Sequence, residues 1–389
     1  MRPIRTRACY HERVVRGWLV VGLILSLSPE VTYGNSTVGS WGPLQSLSYR
    51  PVHSTLLAAG KVFWWGSSGQ NPRVWDPATG LVTTPSRIND NIFCAGHSLL
   101  SSGEVLVTGG TIIIPQGIKA ASSYNPLTNT WTRLPDMNAG RFYPTNATLA
   151  NGDVVVISGN KEDASRNLIS QVWQVGSRSW RDLTGASSID FDLPLYPAAF
   201  LAPNGKIFLV GTALSYYVST TGAGTVTPVA PQNASRRDNY GSAAMYDYGK
   251  VMYTGGGRTS DVPHSSVEMI DLTATNPIWT YAASMPEPRR QHNATLLPDG
   301  TVLVTGGSSA SGQNTNDGPS LRSTGIQPPT SGLFGQPRRD TGVIIPKRCC
   351  CPTPALPALA VTARRACRSS RLPTCLNQIG LRLLRRRPA

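Results

Sequence analysis

The sequence predicts an all-β fold arranged as a β-propeller, on three observations. An apolar strand, a turn carrying glycine and a second apolar strand recur six times along the 389 residues, often followed by a Gly pair. Several of these turns are Asn-Gly or Asp-Gly, as at Asn151-Gly152, Asn204-Gly205 and Asp299-Gly300. Such a dipeptide between alternating strands marks a hairpin, because glycine supplies the positive φ that a tight turn needs. The composition is also turn-rich, with 40% hydrophobic residues, 38 Gly and 31 Pro, which favours one large β domain.

The repeated cores follow in order. The first runs from His53 to Val62 and the second from His97 to Val105, ending in Gly109-Gly110. The third runs from Asn146 to Val154 and the fourth from Ala199 to Ile207. The fifth spans Ala243 to Val251, ending in Gly255-Gly256-Gly257, and the sixth Asn293 to Val302, ending in Gly306-Gly307. Second hairpin signatures follow several cores: Val74-Trp75-Asp76-Pro77, Tyr124-Asn125-Pro126 with Trp131, and Val172-Trp173 with Trp180. Four short strands per unit at a spacing of roughly 45–50 residues is the period of kelch-type propellers, so six blades are legible. The tryptophans are expected between neighbouring blades, where large rings fill the space between sheets.

The formal charge of +15 belongs to the two ends. Residues 1–34 carry five Arg against two Glu, and residues 319–389 carry thirteen Lys or Arg against one Asp, which leaves 18 charges of each sign in residues 35–318. A neutral body offers no basic groove, so no nucleic-acid partner is expected. Residues 1–34 read as a secretory signal, with five arginines ahead of the apolar run Gly17 to Leu27. That run falls short of the ~20 residues that span a bilayer, so a secreted, extracellular protein with no stable membrane insertion after cleavage is expected.

Past Gly307 the repeat gives way to Pro, Arg, Ser and Cys349-Cys350-Cys351. A disordered basic tail over 319–389 is the simplest expectation, but the genetic code offers another. Read from the third base of each codon, Cys349 to Pro352 spell Leu-Leu-(Pro or Ser) followed by a codon permitting Asp, the string seen at Leu296 to Asp299. In the same frame Val343 to Pro346 permit Tyr-His-Ser, and Arg322 to Gly332 permit a copy of the Val74 to Gly80 hairpin. A frameshift is therefore expected in this segment.

Chemistry concentrates in two stretches about one repeat apart, Phe93-Cys94-Ala95-Gly96-His97 and Arg141-Phe142-Tyr143-Pro144-Thr145-Asn146. Cys94 is the single cysteine of residues 35–318, and a lone thiol in a secreted chain needs a use other than a disulfide. A tyrosine partner is one such use. A buried small hydrophobe is the plain alternative for Cys94, and an ordinary core aromatic for Tyr143. His53, His97 and His292 each sit at or beside the start of a core strand and are expected to be structural or to support other groups. His264, in Val262-Pro263-His264-Ser265, is expected on the surface. Asp190 and Glu162 show no paired-carboxylate pattern.

These motifs, with Arg289-Arg290-Gln291-His292-Asn293-Ala294-Thr295, give residues 40–315 a resemblance to the galactose oxidase and glyoxal oxidase family of copper radical oxidases. The resemblance implies a covalent bond between the Cys94 sulfur and the ring of Tyr143, with Tyr143 a copper ligand. It implies one copper ion and a Cys-Tyr thioether radical cofactor. The implied reaction oxidises a primary alcohol or aldehyde with O2 to give H2O2, and carbohydrate is among the candidate substrates. A thioether-substituted phenolate is easier to oxidise than plain tyrosine, and copper(II) suits two phenolates and two imidazoles with one open position. By the same resemblance, a further Tyr-His pair belongs to a seventh blade and a second histidine to a C-terminal β-domain. Both are missing or misframed in this sequence, so the product is expected to be impaired. The rival expectation is a non-catalytic propeller that binds carbohydrate or protein through its loops.

Overall fold

The computed structural model describes residues 49–187, 193–233, 240–258 and 260–311, with strand segments at 45–47, 324–326, 338–339, 359–364 and 378–383. The expected signal at 1–34 and most of the expected tail at 319–389 lie outside the described residues. Six four-stranded antiparallel sheets follow one another along the chain, and no helix occurs among the described residues. They are the blades of a β-propeller.

Blade 1 comprises His53–Leu56, Val62–Trp65, Arg73–Trp75 and Val82–Thr83. Blade 2 comprises Gly96–Leu99, Val105–Thr108, Ala121–Asn125 and Thr130–Arg133. Blade 3 comprises Thr145–Thr148, Val154–Ile157, Ile169–Gln174 and Ser179–Ser187. Blade 4 follows with Ala198–Leu201, Ile207–Val210, Leu214–Ser219 and Thr225–Pro231. Blade 5 has Ser242–Asp247, Lys250–Thr254, Val267–Asp271 and Thr280–Ala282. Blade 6 has Arg290–Leu296, Val302–Ser308, Thr324–Ile326 and Arg338–Arg339. From blade 2 onward the first strands of successive blades are neighbours, so they form the innermost layer.

The turns come out as the glycines require. In blade 1 the Leu57 N–H donates to the Lys61 carbonyl and closes a three-residue loop, in which the Gly60 N–H returns to the Leu57 carbonyl. Gly60 holds φ 74°, a left-handed conformation that a side chain disfavours. The same geometry recurs at Gly103, Gly152, Gly205 and Gly300.

The second strand of each blade explains why the core reads as unbroken apolar runs. Val105, Leu106 and Val107 are all buried. Strand alternation sends Val105 and Val107 toward blade 1, into a cluster with Phe63 and Trp65, and Leu106 toward blade 3, into a cluster with Val154 and Trp173. Blade 3 divides Val155 and Ile157 from Val154 in the same way, blade 4 divides Ile207 and Leu209 from Phe208 and Val210, and blade 5 divides Val251 from Met252. A strand covered on both faces needs apolar side chains at every position, and each large one contributes roughly 1.5–3 kcal/mol on burial.

Among the described residues, several tryptophans lie at the blade boundaries. Trp131 of blade 2 packs on Phe63 of blade 1 and donates from Nε1 to the Ser86 carbonyl at 3.0 Å. Trp180 of blade 3 donates to the Pro135 carbonyl at 2.8 Å. On the other face of blade 1, Leu47 and Tyr49 cover Val62, Trp64 and Trp75, with the Tyr49 and Trp64 rings 4.5 Å apart.

Candidate active site

The chain enters blade 2 through Asn91-Ile92-Phe93-Cys94-Ala95. The Asn91 side chain accepts from the Phe93 N–H at 3.1 Å, and the Ala95 N–H closes a turn onto the Ile92 carbonyl at 3.2 Å. Within this turn Cys94 takes φ 62° and is fully buried. Its N–H donates to Nε2 of His53 at 3.0 Å. Gly96 follows because a Cβ there would lie 2.4 Å from Oδ1 of Asn146, which accepts from the Thr108 hydroxyl.

Blade 3 begins in the same manner. Arg141 is fully buried: its guanidinium donates to the Ser158 carbonyl at 2.8 Å and the Ile169 carbonyl at 2.6 Å, and its own carbonyl accepts from the Gly110 N–H at 3.0 Å. Burial pulls its pKa down to about 9 against the opposing charge of Asp182, so it stays protonated at neutral pH. Phe142 exchanges two backbone hydrogen bonds with Asn160, each 2.8 Å. Tyr143 then turns left-handed at φ 67°, and its N–H donates to the Cys94 carbonyl at 2.9 Å.

A third residue joins this pair. Tyr196, at the start of blade 4, has φ 50° and donates its N–H to the Tyr143 carbonyl at 3.0 Å. Its ring stacks on that of Tyr143 with centroids 4.6 Å apart and 28° between planes, while Phe142 lies on Tyr143 at 4.1 Å and 16°. The Tyr196 hydroxyl reaches back to the Ala95 carbonyl at 3.3 Å. Cys94, Phe142, Tyr143 and Tyr196 thus form one packed cluster with Phe93 and Val52.

The device extends round the ring. Tyr240 before blade 5 and Gln291 at the start of blade 6 also have positive φ, 36° and 54°, and the Gln291 N–H donates to the Tyr240 carbonyl at 2.7 Å. A non-glycine residue in this region costs on the order of 1–3 kcal/mol and persists only where its surroundings over-determine it, most often at functional sites. At Cys94, Tyr143 and Tyr240 a hydrogen bond from the next lead-in residue is part of that constraint.

His53 of blade 1 and His97 of blade 2 flank the turn. His53 stacks on Trp65 at 4.9 Å and 16°, and Trp65 Nε1 donates to the Ile92 carbonyl at 2.9 Å. Because His53 Nε2 accepts an amide hydrogen, its ring is neutral; burial, with His97 nearby, holds its pKa well below the ordinary value. His97 donates from Nε2 to the Ser54 carbonyl at 3.2 Å, and burial lowers its pKa to about 4 in spite of that bond.

Cys94 and Tyr143, the two residues expected at the site from the sequence, are brought together by the structure. Tyr196 escaped sequence reasoning. The available signal was the dipeptide Tyr196-Pro197, which repeats Tyr143-Pro144 one blade later. His264 is half-buried rather than on the surface, because its N–H donates to the Gly256 carbonyl and its carbonyl accepts from the Arg289 N–H. Glu162 accepts from the Gly140 N–H at 2.9 Å and pairs with Lys119, so it is engaged structurally; Asp190 lies outside the described residues.

The described residues do not complete a copper site. Tyr143 offers a phenol, but His53 Nε2 is taken by the Cys94 amide and His292 Nε2 by the Thr254 hydroxyl at 2.8 Å. No group of three or more His, Cys, Asp or Glu among the described residues could hold a metal ion.

A family model described as glyoxal oxidase N-terminus matches residues 74–329. A galactose oxidase of Gibberella zeae is 27% identical over 306 residues, covering 69% of this chain and 44% of that protein. An aldehyde oxidase GLOX of Vitis pseudoreticulata is 26% identical over 252 residues, covering 59% of this chain and 47% of that protein. The chain spans less than half the length of these curated relatives. In fold, it resembles a solved fungal alcohol oxidase of the AA5 family in complex with copper, with a TM-score of 0.73 and 21% identity over 89% of this chain and 76% of that one.

Proposed function

The chain belongs to the glyoxal oxidase N-terminus family, and from that premise we propose that it is the propeller of a secreted copper radical oxidase acting on a primary alcohol or aldehyde, with O2 reduced to H2O2. In this reading the Cys94 sulfur bonds to the ring of Tyr143. The observation that carries it is the placement of the pair: both left-handed, joined by a 2.9 Å backbone hydrogen bond, in one packed cluster.

Forming the thioether removes the thiol hydrogen and one ring hydrogen beside the phenol oxygen. The two electrons and two protons pass to dioxygen, giving hydrogen peroxide, while a carbon–sulfur bond forms. Sulfur substitution lowers the potential at which the phenol gives up an electron, and stacking by Tyr196 and Phe142 excludes water from the ring faces. Among the described residues, Tyr143 supplies the phenol of this site.

The test is mass spectrometry on the full chain after aerobic loading with copper. A linked peptide containing Cys94 and Tyr143, lighter by two hydrogens than the sum of its parts, is the expected result. A Cys94 thiol that remains fully alkylatable after unfolding would overturn the proposal and leave a propeller that binds carbohydrate or protein without chemistry.

A further inference from the structure

We infer that His53 is the positioning residue for Cys94: its Nε2 accepts the Cys94 N–H and thereby holds the cysteine in the left-handed turn that packs it with Phe142 and Tyr143. The second readout below rests on the thioether proposed above; the first does not.

A left-handed turn takes the Cys94 N–H out of any strand ladder, and a buried amide without an acceptor is costly. The acceptor here is an imidazole nitrogen 41 residues earlier in the chain, at 3.0 Å. That nitrogen is itself fixed. His53 opens the first strand of blade 1, pairs with Trp65 across the hairpin and stacks on its indole. The same indole grips the Ile92 carbonyl, two residues before Cys94. The His97 ring stands edge-on to His53 at 5.8 Å.

Blade 1 therefore holds the turn at two backbone groups, the Ile92 carbonyl and the Cys94 amide, while Tyr143 of blade 3 holds the Cys94 carbonyl. Three blades converge on one residue. A ring that merely filled the core would need no nitrogen at this place, and a phenyl ring would serve as well. The proposal therefore turns on the acceptor.

Two variants separate acceptor from volume. His53→Phe keeps a flat ring on Trp65 without an acceptor, and His53→Gln restores an acceptor through its side-chain oxygen. In the copper-free full chain, amide hydrogen exchange at Cys94 is expected to be about tenfold faster in His53→Phe, equivalent to about 1.4 kcal/mol, and slowed again in His53→Gln. Unchanged protection in a folded His53→Phe would overturn the inference. Should that variant fail to fold, the wild type decides: a scalar coupling across the hydrogen bond between the Cys94 nitrogen and His53 Nε2 in nitrogen-15-labelled protein is expected, and its absence is fatal.

After aerobic copper loading, the thioether is expected to form about tenfold more slowly in His53→Phe than in wild type, with partial rescue in His53→Gln. Equal rates would remove the positioning role. A wild type that forms no thioether would instead sink the reading of Cys94 and Tyr143, and the exchange experiment alone would then decide His53.

Discussion

The N–H of Tyr143 donates to the carbonyl of Cys94 at 2.9 Å across the boundary between blades 2 and 3. The two residues are 49 positions apart in sequence and belong to the lead-ins of successive blades, so the propeller's repeat is what makes them neighbours. The backbone bond fixes their separation independently of any side-chain chemistry. Substitution at Cys94 should accordingly spare the fold.

Cys94→Ala is expected to abolish the linked peptide while lowering stability by only about 1 kcal/mol, since little buried volume is lost. Denaturant unfolding of the copper-free chain measures the second quantity. A loss of several kcal/mol would mean that the sulfur packs as part of the core.

Tyr196 makes both a ring stack and a hydroxyl bond, and the two separate by substitution. Tyr196→Phe removes the bond to Ala95 and should cost about 1 kcal/mol, whereas Tyr196→Ala also removes the stack on Tyr143 and should cost about 2–4 kcal/mol. Ultraviolet resonance Raman of the tyrosines in both variants should show an altered Tyr143 environment only in Tyr196→Ala.

Arg141 binds two carbonyls of blade 3 from full burial. Arg141→Met removes the charged donor from both carbonyls, leaving the one at Ile169 with a 3.4 Å bond from the Asn138 amide, and should destabilise the chain by about 3 kcal/mol. Arg141→Lys should rescue little, because a single ammonium cannot reproduce the planar fork. Thermal unfolding of both variants is the check.

His53 and His97 are both neutral in the folded chain, with His97 at about 4 and His53 displaced in the same direction. An unfolded histidine titrates near 6.5, so between that pH and about 4 the unfolded chain binds protons that the folded one refuses. Stability is then complete above about pH 6.5 and falls as pH drops toward 4. Unfolding free energies measured from pH 7.5 to 4 should decline over this window, and the decline should shrink in His97→Gln.

The fold was legible because each second strand is buried on both faces and each hairpin glycine is needed, as at Gly60 and Gly152, so both leave marks in the sequence. Cys94 and Tyr143 were legible through their motifs. Tyr196 was not, since its left-handed backbone carries no glycine to announce it and its value lies in a contact with a residue 53 positions earlier. His53 gave away its burial by opening an apolar strand, but not its acceptor role, which exists only once blade 1 is folded against the turn ahead of blade 2.

At Cys94, Tyr143 and Tyr196, a backbone amide-to-carbonyl bond links each lead-in to the next. The sockets can then accept a thiol, a phenol or, at Gln291, a carboxamide without redrawing the main chain. Such a ring lets the interior's reactivity be composed one blade at a time, so that gaining or losing a chemical function there requires exchanging an occupant rather than rebuilding the frame.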